Sequence, residues 1–318
     1  MDYILIIIGF VLLIYGANFL VDGAVGIAKR FNVPNLIIGL TIVAFGTSAP
    51  ELVVNLVAAL DSTTTDIALT NIIGSNTINT FVILGAAALV YPIKSQSGSR
   101  KFDIPMSLAA PVAILLLAWC FDQEVSRTDG IILLGIFAFF MYVTARKALR
   151  MRSAQSAEKP EQGEKQRNIW LSVIMVVGGL AMLVVGGQLI VNSATNIAES
   201  LGIRQAVIGL TIVALGTSLP ELATSVVAAT KKNSDIALGN VIGSNIFNVF
   251  LVLGISALVR PLPAYRIMEI DLEIVALGSL LVRILVLTNI QYEIRRWACF
   301  VRVRIVSVFR ICIRPNTN

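Results

Sequence analysis

The chain has 318 residues, of which 56% are hydrophobic and only 14% are charged. This composition is far too apolar for a soluble domain of that length and predicts a protein whose solvent is the lipid bilayer. The net charge of +6 does not indicate a nucleic-acid partner, because the basic residues cluster in short segments between apolar runs. There is no histidine, and the three cysteines lack CxxC spacing, so neither a zinc site, a disulfide framework nor a resident cofactor is predicted.

Apolar runs close to the length that crosses the hydrocarbon core recur along the chain, and the expected fold is an all-α membrane protein. Span 1 has no basic region before it and is followed by further spans, so we interpret it as a retained helix rather than a cleaved signal peptide. We number the runs as spans 1 to 10, with expected ranges of about 4–28, 34–60, 66–90, 103–121, 129–148, 169–198, 205–230, 234–259, 267–288 and 294–313.

The distribution of positive charge predicts the orientation of these spans. With the N-terminus outside, Lys29, Arg30 and the basic segment 146–167 lie in the cytoplasm, and the acidic residues Asp61 and Asp122 lie outside. This arrangement follows the positive-inside rule. We therefore expect a multi-pass protein of the inner (plasma) membrane with an extracytoplasmic N-terminus.

The longest polar segment, residues 150–168, contains almost nothing apolar and is predicted to be a short, flexible cytoplasmic linker. It divides the chain into a first half, residues 1–149 with spans 1 to 5, and a second half, residues 169–318 with spans 6 to 10.

The two halves repeat one sequence pattern. GLTIVAFGTSAPE at 39–51 matches GLTIVALGTSLPE at 209–221 in 11 of 13 positions, and TNIIGSNTINTFVILG at 70–85 matches GNVIGSNIFNVFLVLG at 239–254. Because five spans precede the second copy, it enters the membrane from the opposite side. The sequence thus predicts an inverted 5+5 repeat, an architecture that places substrate near the midplane and works by alternating access.

A proline and a glutamate stand together at membrane depth in each copy. Pro50 and Pro220 break their helices, and backbone carbonyls freed in this way are tolerated only where protein buries them or a wet cavity receives them. Glu51 and Glu221 follow directly. An acidic group there costs about 2.5 to 3.5 kcal/mol and usually marks a functional site rather than a packing position.

Oxygen-bearing side chains recur at helical spacing on spans 2, 3, 7 and 8. Hydroxyls, amides, carbonyls and two carboxylates suit hard cations such as Ca²⁺, which takes about 6 to 8 oxygens, and they also suit Na⁺. Competition of the two ions for one site would couple their movements. For Asn71, Asn76, Asn240 and Asn245, helix packing is as good an explanation as binding. The positions on these faces are Ala44, Thr47, Ser48 and Glu51; Ser75 and Asn79; Ala214, Thr217, Ser218 and Glu221; and Ser244 and Asn248.

Three other acidic residues are predicted to be structural. Asp66 and Asp235 stand at the starts of spans 3 and 8, where we expect them to cap helices. Asp22 lies near the cytoplasmic end of span 1 and is expected to reach the interface.

The GTSAPE and GTSLPE blocks, with their paired GSNxxN blocks, resemble the alpha repeats of the sodium/calcium exchanger (calcium/cation antiporter) superfamily. The resemblance covers about residues 1–290 and is closest to the bacterial members with a short central loop. It implies a ten-helix inverted repeat that exchanges Ca²⁺ for Na⁺, with ion ligands at the twelve positions given above. The short linker implies no calcium-sensing domain, and the oligomeric state stays open.

Two neutral side chains set this chain apart from the family pattern. Exchangers of the superfamily often have Asp at one of the positions matched by Asn79 and Asn248, so the site here would carry two negative charges rather than three. A proton-coupled Ca²⁺ exchanger, with Glu51 or Glu221 carrying the proton, is therefore the alternative.

The C-terminal segment also departs from the pattern. Arg302, Arg304 and Arg310 fall inside the expected span 10 and would cost roughly 8 to 10 kcal/mol at the centre of a membrane helix. We therefore expect residues 291–318 to be atypical, either because they lie along the membrane surface or because the reading frame has changed.

Two other classes of function fit the sequence less well. An intramembrane protease would need a GxGD or HExxH motif, which the chain lacks. A passive channel does not need duplicated broken helices with one glutamate each. The expected function is therefore transport rather than catalysis.

Overall fold

The computed structural model describes residues 1–60, 65–93, 99–120, 124–155, 168–202, 214–263 and 272–281, and these are almost entirely helical. Five of the described helices are long and apolar enough to cross a membrane, or six if one bent pair counts as a span. The predicted all-α membrane fold is thereby confirmed. Span 10, including the atypical segment 291–318, lies outside the described residues, as do parts of spans 7 and 9.

The described helices follow the expected order of spans. Two short strands, β1 (Glu124–Val125) and β2 (Leu262–Pro263), pair antiparallel and join the connections after spans 4 and 8. The helices are Asp2–Phe31 (span 1); Asn35–Thr47 and Ala49–Leu60 (span 2); Thr65–Thr77, Ile78–Ile83 and Leu84–Val90 (span 3); Ile104–Cys120 (span 4); Arg127–Gln155 (span 5); Ile169–Ser200 (span 6); Ala214–Thr217 and Leu219–Thr230 (span 7); Ser234–Ile246, Phe247–Leu253 and Gly254–Val259 (span 8); and Leu272–Leu281 (span 9).

Spans 1 and 6 pack closely against each other and run antiparallel. A Cβ placed on Gly9 would lie 2.8 Å from the carbonyl oxygen of Gly186, and a Cβ on Gly16 would lie 2.8 Å from that of Gly179. The absence of side chains at such positions allows membrane helices to approach closely. Gly9 and Gly179, like Gly16 and Gly186, are 170 positions apart, so the two contacts are related by the repeat. This symmetry is what an inverted repeat requires.

Spans 3 and 8 form the centre of the bundle. In the apolar 18-residue stretch of each span, 83% of span 8 and 61% of span 3 are buried, whereas the value for spans 1, 5 and 6 is 28–33%. Span 8 also runs parallel to span 2 and packs tightly on it, since a Cβ on Gly239 or Gly243 would meet the backbone of Leu36 or Leu40. The central helices are thus the ones that carry the polar sequence blocks.

Short π-helical segments interrupt several spans. They were not predicted, because helical periodicity does not distinguish a π-turn from an α-turn over five to seven residues. Such segments bond i→i+5, rotate the side chains that follow, and are frequent at functional sites. They comprise Gly39–Val43 in span 2, Ile78–Ile83 in span 3, Phe247–Leu253 in span 8, and Ser99–Asp103 before span 4.

The predicted boundary of the linker is wrong at its first end. Span 5 remains helical to Gln155, so residues 150–155 belong to that helix and not to a flexible linker. The remainder, residues 156–167, lies outside the described part of the chain.

The predicted role of Asp235 is also wrong. The cap of span 8 is Asn233, whose side chain accepts a hydrogen bond of 3.2 Å from the backbone N–H of Ile236. Asp235 lies in the first turn, where its charge favours the helix dipole. Asp66 likewise lies in a first turn, that of the helix Thr65–Thr77.

Asp22 has a specific partner. Its carboxylate oxygen lies 2.6 Å from Lys231 Nζ, which follows span 7. The two residues therefore join the end of span 1 to the end of span 7, across the two halves of the chain.

Candidate functional site

Both repeat copies break their helix at the same serine. Span 2 bends by 44° between Asn35–Thr47 and Ala49–Leu60, and the residue between them is Ser48, with φ −85° and ψ 6°. Ser218 occupies the same place in span 7, with φ −88° and ψ 2°. Pro50 and Pro220 follow each break and, without an N–H, cannot bond the carbonyl four residues earlier. The sequence thus encodes two equivalent breaks.

Each break delivers a glutamate to the interior. Glu51 and Glu221 lie in the first turn of the helices that follow, where the positive end of the helix dipole favours an acidic group. Both residues are 0% exposed, and the two carboxylates are close enough to interact electrostatically. Neither side chain faces the lipid.

Each carboxylate is surrounded by hydroxyl groups from both halves. The Ser48 hydroxyl donates a hydrogen bond of 3.1 Å to Glu221 Oε1, and Thr47 and Ser244 lie beside the same carboxylate. Ser75 and Thr217 lie beside Glu51. With Ser218, these side chains come from spans 2, 3, 7 and 8, as predicted, and all of them are buried.

A set of buried oxygen and nitrogen atoms in this region has no hydrogen-bond partner among the described residues. A buried polar atom left without a partner costs about 1 to 3 kcal/mol, so a concentration of such atoms makes this region a candidate binding site. The atoms are both carboxylate oxygens of Glu51, Oε2 of Glu221, the hydroxyls of Ser75 and Ser218, both polar atoms of the Asn79 amide, and Oδ1 of Asn248.

The two predicted alanines belong to the backbone of the site. The Ala44 carbonyl accepts a hydrogen bond of 3.0 Å from the backbone N–H of Ser48 and lies 3.3 Å from the Thr47 hydroxyl. Ala214 begins the short helix before the break in span 7. The structure therefore assembles the predicted positions from four spans, with Ala44 already bonded within its own helix.

The four asparagines that sequence reasoning left open make different contacts. Asn76 and Asn240 bond predicted ligands, as described below, whereas Asn245 donates to Thr80 at 3.0 Å and Asn71 donates to Asn55 at 2.7 Å. Asn55 in turn donates to the carbonyl of Ala68 at 2.9 Å, which ties span 2 to span 3. Burial does not separate them, since Asn76, Asn240 and Asn245 are all buried. Only the partner of each amide does.

Comparison with known proteins gives a consistent result. A family model described as sodium/calcium exchanger protein matches residues 1–146 and 171–308. The chain is 39% identical to inner membrane protein YrbG of Escherichia coli (strain K12), covering 81% of this chain and 79% of that protein. It is 31% identical to sodium/calcium exchanger MaX1 of Methanosarcina acetivorans, covering 98% of both chains.

Among solved structures, the sodium-calcium exchanger NCX_Mj soaked with 2.5 mM Na⁺ and 0.1 mM Ca²⁺ superposes with a TM-score of 0.83 at 30% identity. The match covers 96% of this chain and 97% of that one. The likeness therefore extends over both halves of the chain. The chain belongs to the sodium/calcium exchanger family of multi-pass membrane proteins.

Proposed function

We propose that this protein is a secondary active antiporter that exchanges Ca²⁺ for Na⁺ by alternating access. The observation that carries the proposal is the pair of fully buried glutamates, Glu51 and Glu221, with three carboxylate oxygens lacking partners in the described part of the chain. Buried carboxylates are costly unless a cation compensates them. A transported cation is the compensation that this family provides.

The chemistry of the donor atoms favours Ca²⁺ and Na⁺. Hydroxyls, amide oxygens and carboxylates are hard ligands, and two carboxylates balance the charge of one Ca²⁺. The proposed ligands are the twelve positions of the sequence prediction, of which Glu51 and Glu221 supply the charge. Because Na⁺ uses the same oxygens, occupation by one ion excludes the other, which is the condition for exchange.

The repeat supplies the transport cycle. We propose that the halves 1–149 and 169–318, joined through the connection around 150–168, exchange roles so that the site opens first to one side and then to the other. We propose the inner membrane as the location, and the positive-inside rule supports an extracytoplasmic N-terminus. Glu51 and Glu221 would bind ions and catalyse no covalent step.

Coupling to protons is the second candidate. The reason to consider it is the pair of neutral amides at Asn79 and Asn248, which leave the site with one charge fewer than many exchangers of the superfamily have. The relatives named above are sodium/calcium exchangers, which supports Na⁺ as the driving ion. In that mechanism a proton on Glu51 or Glu221 replaces Na⁺ as the counter-ion. The two candidates share one Ca²⁺ site and differ only in the driving ion.

The test is uptake of ⁴⁵Ca²⁺ into proteoliposomes loaded with Na⁺ and diluted into Na⁺-free buffer, with the membrane potential clamped by K⁺ and valinomycin. A second set of vesicles receives an outward proton gradient instead. Exchange with Na⁺ predicts uptake in the first set and none in the second, and a proton-coupled exchanger predicts the reverse. Absence of uptake under both gradients would overturn the proposal.

Glutamine variants connect the flux to the site. Glu51→Gln and Glu221→Gln retain size and hydrogen bonding but remove the charge, so each is expected to reduce uptake at least a hundredfold. Glu124→Gln is the matched control, since Glu124 is exposed in β1. Uptake that survives either site variant at the control level would contradict the assignment.

A further inference from the structure

Asn76 fixes the orientation of a proposed ligand through a chain of hydrogen bonds. Its Nδ2 donates to the backbone carbonyl of Asn245 at 3.3 Å, and its Oδ1 accepts from Nδ2 of Asn248 at 3.1 Å. A backbone carbonyl can only accept, so the amide of Asn76 has one possible orientation. Asn248 must therefore direct its nitrogen to Asn76.

The consequence for Asn248 is that its oxygen remains available. The amide has one oxygen and one nitrogen, and the nitrogen is committed to Asn76. Oδ1 of Asn248 is buried and has no hydrogen-bond partner in the described ranges. A cation binds the oxygen of an amide and not its N–H group, so the orientation set by Asn76 is the one that can bind a cation.

Asn240 fixes the direction of the Thr47 hydroxyl through a similar set of hydrogen bonds. Its Nδ2 donates to the backbone carbonyl of Glu221 at 3.2 Å and to Ser225 Oγ at 2.9 Å. Its Oδ1 must then be the atom that accepts from the Thr47 hydroxyl, at 3.0 Å. The Thr47 hydroxyl has one hydrogen, and Asn240 Oδ1 at 3.0 Å is a nearer acceptor for it than the Ala44 carbonyl at 3.3 Å. With the hydrogen directed to Asn240, the two lone pairs of the hydroxyl are left for a cation.

Asn245 and Asn79 correspond by the repeat to Asn76 and Asn248, but they do not form the equivalent pair of hydrogen bonds. Asn245, the counterpart of Asn76, donates to the hydroxyl of Thr80 at 3.0 Å. Its Oδ1 and both polar atoms of the Asn79 amide have no partners among the described residues. Position 249, the counterpart of Thr80, is a valine, so the second half has no equivalent acceptor. The amide of Asn248 is therefore fixed in orientation by a neighbouring asparagine, whereas the amide of Asn79 is not.

We propose that Asn76 and Asn240 are positioning residues, each anchored on a backbone carbonyl, that hold Asn248 and Thr47 with oxygen lone pairs rather than N–H or O–H groups toward the bound cation. This inference rests on the proposed function, since it concerns the same cation site. Neither residue binds the ion. Asn76 determines that the oxygen of Asn248 faces the ion, and Asn240 determines that the lone pairs of the Thr47 hydroxyl do.

The experiment measures the half-saturating Ca²⁺ concentration and the maximal rate of Na⁺-driven ⁴⁵Ca²⁺ uptake. Asn76→Leu removes the amide at similar volume, so the Asn248 amide loses its fixed orientation. We expect the half-saturating Ca²⁺ concentration to rise about tenfold, the effect of one lost hydrogen bond, with a maximal rate changed by less than about twofold. Thr144→Val is the control, because Thr144 is a buried polar residue of span 5, which supplies no proposed ligand. Its Ca²⁺ dependence should stay within about twofold of wild type.

A second background separates orientation from general damage to the fold. In Asn248→Asp the ligand has an oxygen on both sides, so no orientation needs to be fixed and Asn76→Leu should cost less than about twofold. A tenfold cost in both backgrounds would show a merely structural role and overturn the inference. If Asn76→Leu fails to fold, Asn76→Ala carries the same expectation with a smaller side chain.

Asn240 is tested in the same way. Asn240→Leu is expected to raise the half-saturating Ca²⁺ concentration about tenfold in the wild-type background and much less when Thr47→Ala has removed the hydroxyl. Asn71→Leu is the repeat-related control. Equal effects of Asn240→Leu with and without the Thr47 hydroxyl would overturn this part.

Because wild-type uptake is measured in the same vesicles, failure of the proposed function appears as no uptake in wild type, whereas failure of the inference appears as active variants with unchanged Ca²⁺ dependence.

Discussion

The Ser48 hydroxyl donates to Glu221 Oε1 across 3.1 Å, although the two residues are 173 positions apart and belong to opposite halves of the chain. The symmetric bond, from Ser218 to Glu51, is not made, and Ser218 Oγ has no partner in the described part of the chain. Equivalent residues thus form inequivalent contacts. An inverted repeat that alternates between two sides has this property in each of its two states.

This asymmetry predicts unequal effects of two identical substitutions. Ser48→Ala removes an oxygen and a hydrogen bond that holds Glu221 in place, whereas Ser218→Ala removes an oxygen alone. We expect the half-saturating Ca²⁺ concentration of Ser48→Ala to exceed that of Ser218→Ala by about fivefold, which corresponds to about 1 kcal/mol. Flux titration in oriented proteoliposomes measures the difference, and a larger effect for Ser218→Ala would contradict the assigned geometry.

The contact between spans 1 and 6 predicts that adjacent glycines differ in their tolerance of a methyl group. A Cβ on Gly179 would lie 2.7 Å from the carbonyl oxygen of Gly16, whereas a Cβ on Gly178 meets nothing within 4 Å among the described residues. Gly179→Ala should lower the free energy of unfolding by about 1 to 3 kcal/mol through overpacking. Gly178→Ala should be neutral or stabilising, because alanine is the better helix former. Thermal unfolding in detergent distinguishes the two, and equal melting temperatures would argue against the close antiparallel contact.

Two ion pairs of similar length should differ in their contribution to stability. Lys147 Nζ lies 2.9 Å from Asp103, whose side chain is 3% exposed, and Lys231 Nζ lies 2.6 Å from Asp22, whose side chain is 41% exposed. Lys147→Met removes the cation beside a buried carboxylate and should destabilise the protein by about 2 kcal/mol or more.

Lys231→Met breaks an exposed pair, which typically contributes less than about 1 kcal/mol. The two variants also remove the same charge, so each serves as the control for the other. A chemical-denaturation series in which Lys231→Met is the more damaging substitution would show that burial does not decide the contribution of these pairs.

Much of this architecture could be predicted from the sequence because its causes are local. Proline cannot donate to the preceding turn, so Pro50 and Pro220 mark breaks wherever they lie in a membrane helix. An acidic residue at membrane depth requires an interior position, so Glu51 and Glu221 could be placed without coordinates. The repeat at an offset of 170 is inverted, and in an inverted repeat the interrupted helices lie near the midplane where the halves meet.

Other features depend on contacts between distant segments and could not be predicted. The bend is at Ser48 rather than at Pro50, and π-helical segments such as Ile78–Ile83 rotate the polar faces beyond what ideal helical spacing gives. The role of Asn76, whether helix packing or orientation of a ligand, depends on its hydrogen bond to Asn248, which is 172 positions away in the sequence. The replacement of Thr80 by a valine in the second repeat also could not be interpreted from the sequence, because only the structure shows that Asn245 bonds Thr80.

The central claim is that Glu51 and Glu221 belong to one cation site. Equilibrium binding of ⁴⁵Ca²⁺ to the purified protein, with Na⁺ as competitor, tests it most directly. The account predicts saturable Ca²⁺ binding that Na⁺ displaces, and loss of all of that binding in Glu51→Gln and in Glu221→Gln alike, because each removes half the charge of a single site. Variants that each keep about half of the wild-type Ca²⁺ at saturation would show two independent sites and contradict it.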